Sequence, residues 1–154
     1  MTLTSTTNKT AIFPGSFNPF TTGHADIVER GLKLFDRIVI AVGTNSDKPV
    51  GDAEAAADAI RRIYSGRPEI VVVVYSCLTV QLARQLGAPY ILRGVRSVKD
   101  FEYERDMATV NMQLSDVETV ILFSKPELSA LSSSLVRELQ SYGQDISQFL
   151  PSNS

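Results

Sequence analysis

Groups able to grip an anion gather at four places in this chain of 154 residues. The stretch FPGSFNPFTTGH, residues 13–24, carries Ser16 and ends on the one histidine, His24. Its glycines let backbone N–H groups approach a ligand, and a helix starting near Gly23 would add unpaired N–H donors and a positive dipole end. RGVR sets Arg93 and Arg96 three apart, and two forked guanidinium groups there suit bidentate phosphate binding. LSSSLVRE, residues 131–138, brings Ser132, Ser133 and Ser134 to a helix start, while NSDKPV carries Lys48. Together these groups suit binding or transfer of a phosphoryl group. Each also has a plain reading: a histidine closing a turn-rich loop, serines as N-caps, a solvated lysine, and arginines paired with Asp100 or Glu102.

The elements that must position them are legible as alternating patterns. Apolar runs at TAIF (10–13), RIVIAV (37–42), EIVVVVY (69–75), YILR (90–93) and TVILF (119–123) read as strands buried on both faces of a parallel sheet. Helical spacing lies between them: Ile27, Gly31, Leu34 and Phe35; Ala59, Ile60, Ile63 and Tyr64; Leu78, Leu82, Ala83 and Leu86; Met107, Val110 and Leu114. Alternation of this kind predicts a doubly wound α/β fold, with ligands beyond the carboxyl ends of the strands. The glycine-rich loop follows the first run directly and so falls at that edge. We expect a loose leader through residue 9 and a single domain over residues 10–154.

Composition narrows the partners. Charged residues are 21% of the chain and the formal net charge is −2, which suggests neither disorder nor a nucleic-acid surface. Cys77 stands alone, so no internal disulfide and no Cys/His metal spacing can form, as in a reducing cytosol. The longest apolar run, residues 70–75, is far too short to span a membrane, and the N-terminal residues lack a secretory pattern. A cytoplasmic protein is expected.

TTGH at residues 21–24 resembles the T/HxGH signature of the nucleotidylyltransferase superfamily, and LSSSLVRE looks like its second signature. RGVRSVKDFEYERDMATVN, residues 93–111, is similar to the block that marks phosphopantetheine adenylyltransferases. The likeness runs from about residue 10 to 151. It implies a five-stranded, Rossmann-like nucleotidylyltransferase fold that transfers AMP from ATP to 4′-phosphopantetheine, giving dephospho-coenzyme A and pyrophosphate. Magnesium carried with ATP, a homohexamer and feedback inhibition by coenzyme A are implied by the same likeness.

Residue by residue, the resemblance puts His24 on the α-phosphate of ATP and Ser16 and Lys48 on the attacking phosphate. Arg96 joins these as catalytic. Thr79, Arg93, Met107 and Asn111 fall on the phosphopantetheine side. Ser16, Phe17, His24, Gly94, Val95, Arg96 and Glu104 fall on the ATP side, with the loop Leu128, Ser129, Ala130, Leu131, Ser132, Ser133 and Ser134. No residue is assigned to metal. Glu104, Met107 and Asn111 share one helix face by their spacing alone.

Three positions depart from the family pattern. Ser16 stands for a common threonine and keeps its hydroxyl. Leu128 replaces a frequent aromatic or imidazole ring, so adenine stacking should weaken. After Lys48 the chain reads PVGDAEAAADAIRR, which predicts a looser loop around Gly51 and fewer contacts from the helix behind it. Two further readings stand beside the first: a nucleotidylyltransferase for nicotinate mononucleotide or a polyol phosphate, and a non-catalytic nucleotide-binding protein.

Overall fold

The structure is a computed structural model that describes residues 8–44 and 50–152. Strand and helix alternate as β1 (Thr10–Gly15), α1 (Thr22–Gly31), β2 (Arg37–Gly43), α2 (Val50–Ile63), β3 (Ile70–Tyr75), α3 (Thr79–Leu86), β4 (Tyr90–Val95), α4 (Val98–Ser115), β5 (Glu118–Phe123) and α5 (Ser133–Ser141). The strands form one parallel sheet in the order β3-β2-β1-β4-β5. Chain direction across the sheet reverses between β1 and β4, and a doubly wound sheet opens its ligand crevice at that reversal.

The crevice has a local cause. β1 and β2 stay in register from Thr10↔Arg37 to Gly15↔Val42, whereas β1 and β4 pair only at Ala11↔Tyr90 and Ile12↔Ile91. Pro14 has no N–H to offer either neighbour. Beyond Ile12 the two strands part, and the gap receives the side chains described below.

Two apolar layers bury the sheet. α1 and α2 set Ile27, Val28, Ala53, Ala57 and Ile60 against Phe13, Ile38, Ile40 and Leu92 on one face. α3 sets Val80, Leu82 and Ala83 against Ile12, Val39, Ala41 and Ile91 on the other, with α4 beside it. The alternating sides of successive strand residues produce this division. At roughly 25 cal/mol per Å² of apolar surface removed from water, these layers are the main driving force for the fold.

The outer strands differ from the expectation. β3 and β5 are half-exposed along most of their length, because each lies at an edge with only one sheet neighbour. On α4, Met107, Val110 and Leu114 also stay exposed, and the buried residue of that helix is Glu104. Gly51 lies within the first turn of α2, not in a loop: the run of alanines carries helix back through it. That helix is no loose appendage either, since Ala53 and Ala57 are fully packed.

Candidate active site

The loop between β1 and α1 is held by its own ends. Thr21 is the N-cap of α1, and its hydroxyl accepts from the His24 N–H at 3.4 Å. The Thr21 N–H in turn donates to Nδ1 of His24 at 3.0 Å. This reciprocal capping box satisfies two helix-end donors and fixes the imidazole. Because a backbone N–H can only donate, Nδ1 must be the acceptor, so the neutral ring carries its proton on Nε2. Phe17, Phe20 and Phe13 surround the ring with centroids 5.0, 5.4 and 6.3 Å away.

That environment keeps His24 neutral. Burial comes first, followed by the positive charges of Arg93 and Arg96, and together they push its pKa down from 6.5 to about 4. Protonating Nδ1 would also oppose the Thr21 N–H with another donor. At neutral pH the ring is therefore a hydrogen-bond donor through Nε2 and not a cation.

Two arginines stand opposite. Arg93, near the end of β4, makes a forked pair with Glu104 of α4: Nε to Oε2 at 2.9 Å and one terminal nitrogen to Oε1 at 2.7 Å. Its other terminal nitrogen donates to the Pro14 carbonyl at 2.7 Å, across the gap between β1 and β4. Arg96 pairs more loosely with Asp100 at 3.3 Å, and its own backbone N–H donates to the same carboxylate at 3.2 Å. Ser97 caps α4 by accepting from the Asp100 N–H, which explains why this helix begins where it does.

The serine-rich segment closes the site from the far end of the chain. Ser132 caps α5, accepting from Leu135 N–H at 3.1 Å. The hydroxyl of Ser133 donates to Pro19 O at 2.8 Å, and Arg137 donates to Asn18 O and to Ser134 Oγ. These bonds clamp α5 onto the β1–α1 loop across more than a hundred residues of sequence. Arg96 also reaches the Leu131 carbonyl.

Two adjoining cavities result. The first, about 250 Å³, is lined by Ser16, Phe17, His24, Arg93, Gly94, Arg96, Asp100, Glu104, Ser124, Leu128, Leu131, Ser132 and Ser133. Gly94 is needed there: a Cβ would come within 3.0 Å of Ile27 on α1. The second, about 200 Å³, is lined by Tyr75, Thr79, Arg93, Tyr103, Glu104, Met107, Asn111 and Thr119. Tyr75 and Thr79 hydroxyls bond each other at 2.9 Å, and the buried Thr119 hydroxyl has no partner among the described residues. Pro14, Gly15, Arg93 and Glu104 line both cavities.

The residues singled out from sequence are thus largely brought together around the two cavities: Ser16, Phe17, His24, Gly94, Arg96, Leu128, Leu131, Ser132 and Ser133 line the first, Thr79, Met107 and Asn111 the second, and Arg93 and Glu104 both. Val95 is buried beneath the site, Ser129 bonds Pro126 O, Ser134 turns to Arg137, and Ala130 is exposed; none of these four lines either cavity. Lys48 lies outside the described residues. Sequence reasoning gave no site role to Asp100, Tyr75, Tyr103 or Thr119. Asp100 was detectable, since it lies one turn before Glu104 on the same face of α4.

The cytidylyltransferase-like family profile matches residues 12–139. The chain is 54% identical over 142 residues to the phosphopantetheine adenylyltransferase of Porphyromonas gingivalis, covering 92% of this chain and 93% of that protein. With the enzyme of the same name from Bacteroides thetaiotaomicron it shares 48% over 145 residues, 92% of this chain and 94% of the other. Among solved structures, a bifunctional NMN adenylyltransferase/ADP-ribose pyrophosphatase from Francisella tularensis superposes with a TM-score of 0.69 at 14% identity. The superposition covers 96% of this chain and 46% of that one, and it shows a shared fold.

Proposed function

This chain belongs to the phosphopantetheine adenylyltransferase family, and from that premise we propose that it transfers the adenylyl group of ATP to 4′-phosphopantetheine, releasing dephospho-coenzyme A and pyrophosphate. The observation that carries the reading is the pair of joined cavities with Arg93 in their common wall. One acceptor-phosphate oxygen forms a bond to the α-phosphorus. The bond from that phosphorus to the α,β-bridging oxygen breaks, and its electron pair leaves on pyrophosphate. The substrate phosphate is itself the nucleophile, so no side chain is required to form an adenylyl intermediate.

In this reading the first cavity takes ATP and the second takes the pantetheine arm. His24, neutral and donating through Nε2, stabilises the α-phosphate as charge shifts through it. Arg93 and Ser16 hold the acceptor phosphate, with Lys48 joining them, and Arg96 faces the ATP phosphates. The first turn of α5 offers free N–H groups to the polyphosphate, while the hydroxyls of Ser132 and Ser133 hold the architecture. Thr79, Met107, Asn111 and the unpartnered Thr119 hydroxyl suit an arm that carries amides. Positioning and charge neutralisation supply most of the catalysis in such a transfer.

Magnesium carried with ATP would be held by the substrate's phosphates. Asp100 and Glu104, the carboxylates in the cavities, are already paired with arginines, and no cluster of three metal-binding side chains exists among the described residues. Such an ion would supply neutralisation of phosphate charge, and an ion held by substrate oxygens and water needs no protein cage. Tyr103, Val110 and Leu114 leave an apolar face of α4 uncovered, which supports burial in an oligomer, a homohexamer as the family resemblance implies. Coenzyme A, sharing the pantetheine arm, would compete for the second cavity. No helix among the described residues is long and apolar enough to cross a membrane. We read the enzyme as cytoplasmic, a reading that the use of ATP and the exposed thiol of Cys77 support.

Pyrophosphate release tests the assignment when 4′-phosphopantetheine, nicotinate mononucleotide and glycerol 3-phosphate are compared, the first two with ATP and the last with CTP. Release with phosphopantetheine alone is expected. Release with another acceptor, or with none while ATP still binds, would overturn it.

A further inference from the structure

The Thr21 N–H fixes one edge of the His24 ring by holding Nδ1 at 3.0 Å. The plane of the ring needs a second support. Rotation about the bond that joins an imidazole to its Cβ has broad wells, so one hydrogen bond at the edge leaves the ring able to tilt and Nε2 to swing with it. Three phenyl rings approach the imidazole. Phe13 and Phe17 meet it at 60° and 88°, whereas Phe20 lies more nearly parallel, at 29° with centroids 5.4 Å apart. Phe13 and Phe17 also line the first cavity, but Phe20, 5% exposed, lines neither that cavity nor the second. A phenyl ring that stacks on His24 and lies outside both substrate cavities can act on the reaction only through the imidazole.

Phe20 is seated in turn by Tyr64, at the end of α2. The Tyr64 ring meets Phe20 edge-on, at 84° with centroids 6.0 Å apart. The Arg67 guanidinium, tied to Glu29 and Glu69, lies 6.0 Å from the Tyr64 centroid. Because the buried Tyr64 hydroxyl has no partner among the described residues, what this side chain contributes is its ring. The rest of α2 lends Phe20 little bulk. Phe17 and Phe20 line a third cavity, about 560 Å³, together with Ala55, Ala56 and Ala59, which belong to the alanine-rich run that departs from the family pattern. There α2 offers methyl groups and open space, and Tyr64 offers a ring.

We infer that Phe20 is a positioning residue for His24, setting the plane in which Nε2 donates, and that Tyr64 holds Phe20 in place. The part that the imidazole plays in the transfer is that of the proposed function, on which this inference rests. A catalytic group must be held within about 0.5 Å and 10–20° of its productive geometry. The capping box holds an edge of the ring, and the phenyl face limits its tilt. The same face keeps water from the imidazole, and so shares in the burial that holds its pKa low.

Phe20→Leu keeps an apolar side chain and removes the flat face. With ATP and 4′-phosphopantetheine, kcat should fall about 10- to 100-fold, since a misplacement of about 1 Å can cost about a hundredfold. Both KM values should stay within about threefold, because Phe20 lines neither substrate cavity. In His24→Ala the same substitution should change kcat by less than about twofold, as no imidazole is left to hold. A comparable fall in both backgrounds, or a loss carried by KM, overturns the inference. Should Phe20→Leu fail to fold, Tyr64 takes its place: Tyr64→Leu should lower kcat by more than about threefold, and Tyr64→Phe, which keeps the ring, should restore it. A Tyr64→Leu enzyme that turns over like the wild type, or an equal loss in Tyr64→Phe, overturns it as well. The ring nitrogens of His24 report without substrate. Arg93, Arg96, Asp100 and Glu104 are the charged groups that line the first cavity with His24, and all four remain in Phe20→Leu. The imidazole titration should nonetheless move up from about 4 toward 6.5 as water reaches the ring. A titration unmoved by the loss of Phe20 overturns the inference, whereas the expected move, found beside a wild type that forms no dephospho-coenzyme A, would refute the proposed function alone.

Discussion

The protonation of His24 can be read in isolation, because the chain contains one histidine. With 15N-labelled protein, both ring nitrogens titrate without overlap from other histidines. The structure sets the expected magnitude: burial, then Arg93 and Arg96, bring the pKa from 6.5 to about 4. At pH 6 the ring should then be roughly 1% protonated, against about three-quarters for an unperturbed histidine. Across pH 5.5–8 the shifts should hold steady, with a protonated Nε2 and a bare Nδ1 as the Thr21 N–H bond demands. The unfolded chain takes up this proton near pH 6.5 and the folded one only near 4. Folding stability from this group is therefore complete above the first value and lost as pH falls toward the second. Arg93→Ala should raise the pKa by removing a positive neighbour. An inflection between pH 6 and 7, or a proton on Nδ1, would refute a neutral Nε2 donor and with it the role given to the capping box.

Two further outcomes follow from packing. Tyr64→Phe should leave stability unchanged or raise it by up to about 1 kcal/mol, since the buried Tyr64 hydroxyl has no partner among the described residues; a loss larger than that in chemical denaturation would reveal a bond that has been missed. Gly94→Ala places a Cβ 3.0 Å from Ile27 and should cost about 1–3 kcal/mol in the same assay. It should also disturb both cavities by pushing β4 from α1, so unaltered kinetics would argue against Gly94 as a spacer.

Much of this was legible in local sequence because local rules govern it. Five apolar runs became five strands, and Thr21, Ser97 and Ser132 stand at helix starts as short hydroxyl residues should. Family resemblance named residues for two sides of the site, and most of them line one or other of two cavities that share Arg93 and Glu104. What escaped depends on residues far apart in the chain. The Arg93 bond to Pro14 spans 79 positions and exists because β1 and β4 part beyond Ile12. The serines of α5 suggested phosphate ligands, yet the Ser133 hydroxyl is spent on Pro19, a choice made only when the helix docks. Glu104 was placed on the correct helix face, but spacing could not say that its partner would be an arginine from the preceding strand. The half-exposed edge strands escaped for a similar reason: apolar content predicts a strand but not its rank in the sheet.

The most direct test of the account is steady-state formation of dephospho-coenzyme A from ATP, magnesium and 4′-phosphopantetheine by the wild type and His24→Ala, with ATP affinity measured on both by calorimetry. The wild type should turn over, and the variant should bind ATP nearly as well while losing about two to three powers of ten in kcat, as expected for a donor that acts mainly in the transition state. An inactive wild type, or a variant whose turnover falls only as far as its ATP binding, would contradict it.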